Sequence, residues 1–260
     1  MFALDVYICC ERGLVRDCNE DSFVAGQIYK GWEEVEGLEV KGLLLPQLLG
    51  VFDGMGGEWA GGEASFLAAR LAAEYGCQFI DGVGNVSFAS EYVHRCHEAM
   101  KCLAEEKKVR RVGAAFAMAL LRGVKFRAFS MGDCRIYLFR EGKLLLLTKD
   151  HTLAQKMYEA NLMTWEEMIE SPNRHVLIKY LGMDEASPSR GPEEYPPLSL
   201  QEGDRFLFCT DGLHHLVEPE EIKWAMQGEM SVACQALRQM VYERGGDDNL
   251  TCMAVLVRRA

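Results

Sequence analysis

The run Val51-Phe52-Asp53-Gly54-Met55-Gly56-Gly57 ends an apolar stretch in one carboxylate and follows it with glycines. Glycine lets backbone and ligand approach such a carboxylate closely. The arrangement recurs along the chain. Phe129-Ser130-Met131 meets Gly132-Asp133, and Leu207-Phe208-Cys209-Thr210 meets Asp211-Gly212. Asn19-Glu20-Asp21 and Gly245-Gly246-Asp247-Asp248-Asn249 place further acids just before strand-like runs. Any one of these reads as a turn. Together they read as carboxylates delivered to one sheet edge.

Gathered carboxylates repel one another unless a cation neutralises them. Ligation by oxygen alone selects hard ions, Mg²⁺ or Mn²⁺, over zinc or copper. A cluster of this size suits two ions about 3.5–4 Å apart, and water between them gives up a proton at neutral pH. No Ser, Cys or His sits in a pattern that supports a nucleophile, so activated water is the expected attacker. Arg16 lies a few residues before Asp21. Its planar guanidinium fork suits phosphate oxygens. His94 and His97 share a predicted helix and read as surface or packing residues. His151, after Asp150, and His214-His215, after Asp211-Gly212, leave the general acid open. A bound water is the alternative.

The elements that must position these groups follow from patterning. Strands are expected over 3–10, 22–29 and 43–52, with a loop or hairpin over 31–42. Helices are expected over 60–79 and 88–107, each with an apolar stripe at helical spacing. Two hairpins follow, 114–121 with 125–131 and 135–140 with 143–148. A helical region spans 153–181 and breaks near Ser171-Pro172. Residues 184–204 read as an extended connection. A strand at 205–210, helices at 218–227 and 231–244 and a strand at 249–257 complete the chain. Strands and helices do not alternate strictly, which argues for an α+β fold with antiparallel sheets. No repeat or linker divides the sequence, so one domain over 1–260 is expected.

With 260 residues, 49% of them hydrophobic and 26% charged, the chain can bury a core without disulfide support. Its net charge of −11 argues against nucleic acid as a partner. The basic run Lys107-Lys108-Val109-Arg110-Arg111 reads as a solvated helix end. The ten cysteines include no Cys-x-x-Cys pair, which suits reduced, buried thiols in the cytoplasm. No apolar run approaches the roughly 20 residues that cross a bilayer.

The motifs in order resemble those of the metal-dependent Ser/Thr protein phosphatases, the protein phosphatase 2C family. They are Gly13-Leu14-Val15-Arg16-Asp17-Cys18-Asn19-Glu20-Asp21-Ser22, Asp53-Gly54-Met55-Gly56-Gly57, Gly132-Asp133-Cys134-Arg135, Leu147-Thr148-Lys149-Asp150-His151-Thr152-Leu153, Thr210-Asp211-Gly212 and Asp248-Asn249-Leu250-Thr251. The likeness covers nearly the whole chain, and Met55 is like the bacterial stand-alone branch. It implies a four-layer αββα sandwich, two antiparallel β-sheets flanked by helices, with a dinuclear Mg or Mn centre and room for a third ion. By the resemblance, Asp53 would bridge the two metals and the Gly54 carbonyl would bind one of them. Asp211 and Asp248 would bind the other. Asp21, with Glu20 beside it, would hold a metal or its waters. Asp133 would help a third, weaker ion, and Arg16 would contact the phosphoryl group. A flap at about 153–182 would border the cleft.

The implied activity is hydrolysis of phosphoserine and phosphothreonine on proteins, reversing a Ser/Thr kinase. The expected partners are a phosphorylated protein and its cognate kinase, with no nucleic acid and no membrane, the chain acting as a cytoplasmic monomer. Rivals are a binding-only relative, a partner-switching regulator and a hydrolase of small phosphoesters. Glu58 stands where the bacterial branch often has His, Gly113-Ala114-Ala115 replaces Gly-Thr-Thr, and Ser171-Pro172 replaces His-Pro. These departures bear on substrate fit and metal tuning.

Overall fold

In the computed structural model of the protein, the described residues are all but 32, 57–59, 81–87 and 184–190, with backbone alone described at 77–80. The first half comprises β1 (Phe2–Glu11), β2 (Asp21–Ala25), β3 (Ile28–Tyr29), β4 (Val35–Leu44), β5 (Gln47–Met55), α1 (Ala60–Ile80), α2 (Phe88–Lys107) and β6 (Gly113–Arg122). Then come β7 (Lys125–Met131), β8 (Arg135–Arg140), β9 (Lys143–Leu146), α3 (Leu153–Glu159), α4 (Trp165–Glu170) and a 3₁₀ turn (Pro172–His175). The rest is β10 (Glu193–Glu194), β11 (Leu198–Ser199), β12 (Arg205–Cys209), α5 (Asp211–His214), α6 (Pro219–Ala225), α7 (Met230–Glu243) and β13 (Leu250–Arg259).

The strands form two antiparallel sheets, as the sequence led us to expect. One runs β4-β1-β13-β12-β8-β9, and the other β10-β7-β6-β5-β2-β3, with β11 also on β7. Side-chain alternation explains the layering. On β1, Leu4, Val6, Ile8 and Cys10 face the space between the sheets, while Cys9 faces α7. On β5, Leu49 and Val51 enter the inter-sheet core, while Leu48 and Phe52 pack toward α1 and α2. Alanines 64, 68 and 72 lie at the bottom of α1 and are fully buried, which brings that helix close to the sheet. The four layers are therefore α1 and α2, the β5 sheet, the β1 sheet, and α5 to α7.

Several expectations need correction. Residues 35–44 are a ten-residue strand, not a loop, because β4 pairs along β1. The stretch 43–52 is not one strand. It breaks at Leu45-Pro46 and passes from one sheet to the other, at a residue that cannot donate to a ladder. The 22–29 run is a hairpin that turns at Gly26, whose φ is +65°. The helical region ends at His175, and Leu177 and Leu181 bridge back to Thr152 and Ala114. Of the connection at 184–204, residues 184–190 lie outside the described set, and the rest contributes two short strands to β7. Strand β5 does not stop at Asp53 but runs to Met55, paired with β6.

Candidate metal centre

The inter-sheet face of β5 continues from Leu49 and Val51 to Asp53. Asp21, the first residue of β2, is the cross-strand partner of Asp53 and continues the row of Phe23 and Ala25. Two carboxylates therefore end the apolar interior at the same edge. Asp133 comes from the β7–β8 turn, Asp211 opens α5, and Asp248 precedes β13. They border one cavity of about 750 Å³ together with Arg16, Glu20 and Gly54. Every expected site residue lines this cavity except Asp21. Asp21 is buried behind it and faces a smaller cavity of about 260 Å³.

Local packing dictates the glycines here. A Cβ on Gly54 would stand 2.0 Å from the Gly61 carbonyl oxygen, and one on Gly212 would stand 2.0 Å from that of Asn249. Gly54 N–H donates to the Glu20 carbonyl at 3.1 Å, locking the glycine-rich turn to the acidic segment. Burial raises the Glu20 carboxyl, and the nearby backbone N–H groups of Gly62 and Gly61, in the first turn of α1, oppose that rise. That end of a helix favours negative charge.

The electrostatics show a shortage of positive charge. Burial, then the charges of Asp211, Asp21, Asp133 and Asp248, hold the Asp53 carboxyl well above its usual range. Burial also raises Asp133 and Asp248. Burial pushes Asp21 up to about 7, although hydroxyls of Thr210 and Thr251 oppose the shift. Asp211 goes the other way. Burial opposes ionisation there, but contacts from His175, His215 and the proton on Asp53 hold it below the usual carboxylate range. Arg16, about half exposed, donates to Asp248 Oδ2 at 2.8 Å. An all-oxygen donor set this crowded fits a hard divalent cation.

Surrounding residues hold the acids in place. Asp21 Oδ2 accepts Thr210 Oγ1 at 2.7 Å and Thr251 Oγ1 at 2.8 Å, both from the opposite sheet. Lys30 Nζ donates to the main-chain oxygens of Asn19 and Asp21. Arg135 grips Asp150 through two bonds of 2.9 and 2.7 Å. His151 is buried, and its Nδ1 lies 3.1 Å from both the amide nitrogen and the carbonyl oxygen of Gly132. His214 Nε2 lies 2.9 Å from the Asp133 carbonyl. Both of these histidines thus brace the Asp133 turn. His97 Nδ1 accepts Gly182 N–H, a packing role. Ser171, at the altered Ser-Pro, caps the 3₁₀ turn by accepting Asn173 N–H.

Some site residues were missed in the sequence. Asn249 Oδ1 accepts Glu20 N–H, and its Nδ2 donates to the carbonyls of Arg12 and Cys18. Its place beside Asp248 was the available signal. Arg111 belongs to the run read as a solvated helix end, yet it lines the cavity. His175, Leu177 and Tyr180, from the segment 153–182, line the same cavity. Glu58 lies outside the described residues.

Two stacked antiparallel sheets that end in an acidic, oxygen-lined edge define a class of protein built to hold hard divalent cations. The chain belongs to the Protein phosphatase 2C family, whose model matches residues 45–250. It is 31% identical over 246 residues to the serine/threonine protein phosphatase PstP of Mycobacterium tuberculosis, covering 93% of this chain and 42% of that protein. The chain therefore spans under half the length of that relative. The crystal structure of PstP/Ppp from the same organism superposes with a TM-score of 0.79 at 28% identity, covering 99% of this chain and 100% of that one. The catalytic domain of PstP in complex with two manganese ions gives 0.77 at 28% identity, covering 100% of both.

Proposed function

We propose that the chain hydrolyses phosphoserine and phosphothreonine on proteins, using two Mn²⁺ or Mg²⁺ ions held in the cleft. The observation that best supports this is the gathering of Asp53, Asp133, Asp211 and Asp248 in one cavity with the guanidinium of Arg16. The manganese-bound PstP domain supports the same choice of cofactor. Bound there, the ions supply a Lewis-acid centre that acidifies water and screens phosphoryl charge.

The chain's own groups hold and orient. Asp53 would bridge both ions, the Gly54 carbonyl would bind one, and Asp211 and Asp248 would hold the other. Glu20 would hold an ion or its waters. Asp21 has only its second oxygen to offer, because Oδ2 is committed to Thr210 and Thr251. Asp133 would serve a third, weaker ion. Arg16 would turn from Asp248 to the phosphoryl oxygens when substrate enters, its fork matching two of them.

The unit would span 1–260, with 153–182 as a flap over the cleft. Its substrate would be a phosphoprotein made by a Ser/Thr kinase, in cytoplasmic signalling, with the chain acting as a monomer. Among the described residues, no helix is long and apolar enough to cross a membrane.

The test is release of phosphate from a phosphothreonine peptide with Mn²⁺, with chelator, and in Asp53→Asn. Hydrolysis that needs metal and vanishes in the variant is expected. Wild-type turnover by Asp53→Asn would sink the reading.

A further inference from the structure

One cluster in the cleft departs from the all-oxygen chemistry around it. His215 Nδ1 lies 3.3 Å from Asp211 Oδ2, and His175 Nδ1 lies 4.0 Å from the same oxygen. The imidazole rings meet edge to face, with centroids 4.5 Å apart. One ligating atom from each of His175, Asp211 and His215 lies within 4.8 Å of the other two. The start of α5 explains half of this. Asp211 and His215 are four residues apart, joined by the His215 N–H bond to the Asp211 carbonyl, and so share a face. His175 is brought in by the 3₁₀ turn of the 153–182 segment.

The donor set of two imidazole nitrogens and one carboxylate oxygen leaves a fourth position open. Imidazole favours zinc and its d-block neighbours over magnesium. Zinc–ligand bonds of about 2.0–2.1 Å place tetrahedral donors about 3.3 Å apart. The His215–Asp211 spacing already matches this edge, and His175 needs only a small approach.

We propose that His175, Asp211 and His215 form a binding site for a zinc-class divalent cation that fastens the flap segment to α5. This site differs in chemistry from the oxygen-lined centre, although both use Asp211. The proton bookkeeping closes within each ring, because His215 ligates through Nδ1 as its Nε2–H tautomer and His175 shifts to that form. Arg174 Nε donates to His175 Nε2 at 2.9 Å, so the neutral ring carries its proton on Nδ1. Ligation through Nδ1 moves that proton to Nε2 and releases Arg174, with no net proton gained or lost. His214 is not among the donors that converge, its ring being turned to the Asp133 carbonyl through Nε2. Occupancy draws Asp211 toward the imidazoles and pins His175 over the cleft, which slows hydrolysis. That consequence rests on the phosphatase reading, whereas the site does not.

The test uses Co²⁺ as a visible probe on the full chain, with excess Mg²⁺ to fill the oxygen sites. An intense absorption band of four-coordinate cobalt should saturate at one equivalent and be displaced by Zn²⁺. In folded His175→Ala and His215→Ala the apparent affinity should fall by at least ~100-fold, since losing even a supporting partner of a ligand costs about 10–100-fold. Only weak six-coordinate bands in the wild type, or an intense band unchanged in both variants, would overturn the site. Tryptic cleavage after Arg174 should slow on Zn²⁺ addition in the wild type alone, and equal rates with and without Zn²⁺ would overturn the fastening. A cobalt band in a protein with no Mn²⁺-dependent hydrolysis would sink the phosphatase reading and uphold the site.

Discussion

Asp21 and Asp53 are direct partners across the β2–β5 pair, yet their carboxylates are held by opposite means. Asp21 accepts two threonine hydroxyls from the other sheet, whereas Asp53 faces Asp211, Asp21, Asp133 and Asp248. The first is a tie between sheets and the second is a carboxyl held protonated until a counter-ion arrives. Asp53→Asn should therefore lower metal-dependent hydrolysis by at least ~100-fold, the scale of losing one electrostatic group at a reacting centre. It should leave the metal-free melting temperature unchanged or raised, because the amide is spared the cost of keeping a carboxyl protonated in a buried, acidic site. Asp21→Ala should cost about 1–3 kcal/mol for each hydroxyl left unpaired. Paired denaturant melts and turnover assays separate the two.

The pH dependence of Asp21 gives a second test. Its folded pKa is about 7, raised by burial from the ordinary 3.8. A raised carboxylate pKa means that the fold favours the protonated form. The contribution is full below about pH 4 and is lost as pH climbs through about 7. His151 runs the other way. Burial first, then Lys179, lowers it to about 4 from 6.5, so its contribution is full above pH 6.5 and fades as pH falls toward 4. In chelator, the wild type minus Asp21→Asn should thus show stability falling from pH 5 to 7.5, by a few kcal/mol at most. Excess Mn²⁺ should flatten the slope, since nearby cations invert local pKa logic. A flat difference in chelator would contradict the burial of this carboxylate.

The carboxylates were legible in sequence because each sits where an apolar alternation stops or turns, a signal carried by neighbours along the chain. The antiparallel α+β class was legible for the same reason, through periodicity, whereas the αββα layering came from the resemblance alone. What was not legible depends on contacts made across sheets. Nothing near Asp21 in sequence announces Thr210 and Thr251. The apolar stretch around Leu45-Pro46 reads as one strand because burial on either sheet selects the same residue types. Arg111 looks like any basic helix end until the 750 Å³ cavity is built around it. His175 and His215 meet only because the 3₁₀ turn at 172–175 lies against the end of α5.

Asn249 tests how far this support matters. Its amide satisfies the Glu20 N–H and the carbonyls of Arg12 and Cys18, so one side chain fixes both ends of the acidic segment. Asn249→Ala leaves these groups without partners, and each buried unpaired group costs about 1–3 kcal/mol. A loss of about 2–4 kcal/mol is expected, less than the full sum because water reaches part of the segment. Mn²⁺ affinity should fall by about 10–100-fold, as for other supports of metal ligands. Calorimetric titration of the variant with Mn²⁺ checks this. Loss of stability with unchanged metal affinity would show that Asn249 braces the fold without setting the positions of Glu20 and Asp248.

Arg16 carries the most specific claim about substrate. Its bond to Asp248 is half exposed, and such pairs contribute about 0–1 kcal/mol, so Arg16→Ala should leave the melting temperature nearly unchanged. A hydrogen bond to a charged phosphoryl group contributes about 1.5–3 kcal/mol, which converts to roughly a 10–150-fold loss in kcat/KM on a phosphopeptide. Arg16→Lys should recover little, because a point charge does not reproduce the fork. Mn²⁺ affinity should rise slightly in Arg16→Ala, since Asp248 then faces the ion without a competing guanidinium. Steady-state kinetics and metal titration on the three proteins decide the matter. If Arg16→Ala lost metal affinity and kept its kcat/KM at saturating Mn²⁺, Arg16 would be a prop for Asp248 and the phosphate contact would have to come from Arg111 on the facing wall.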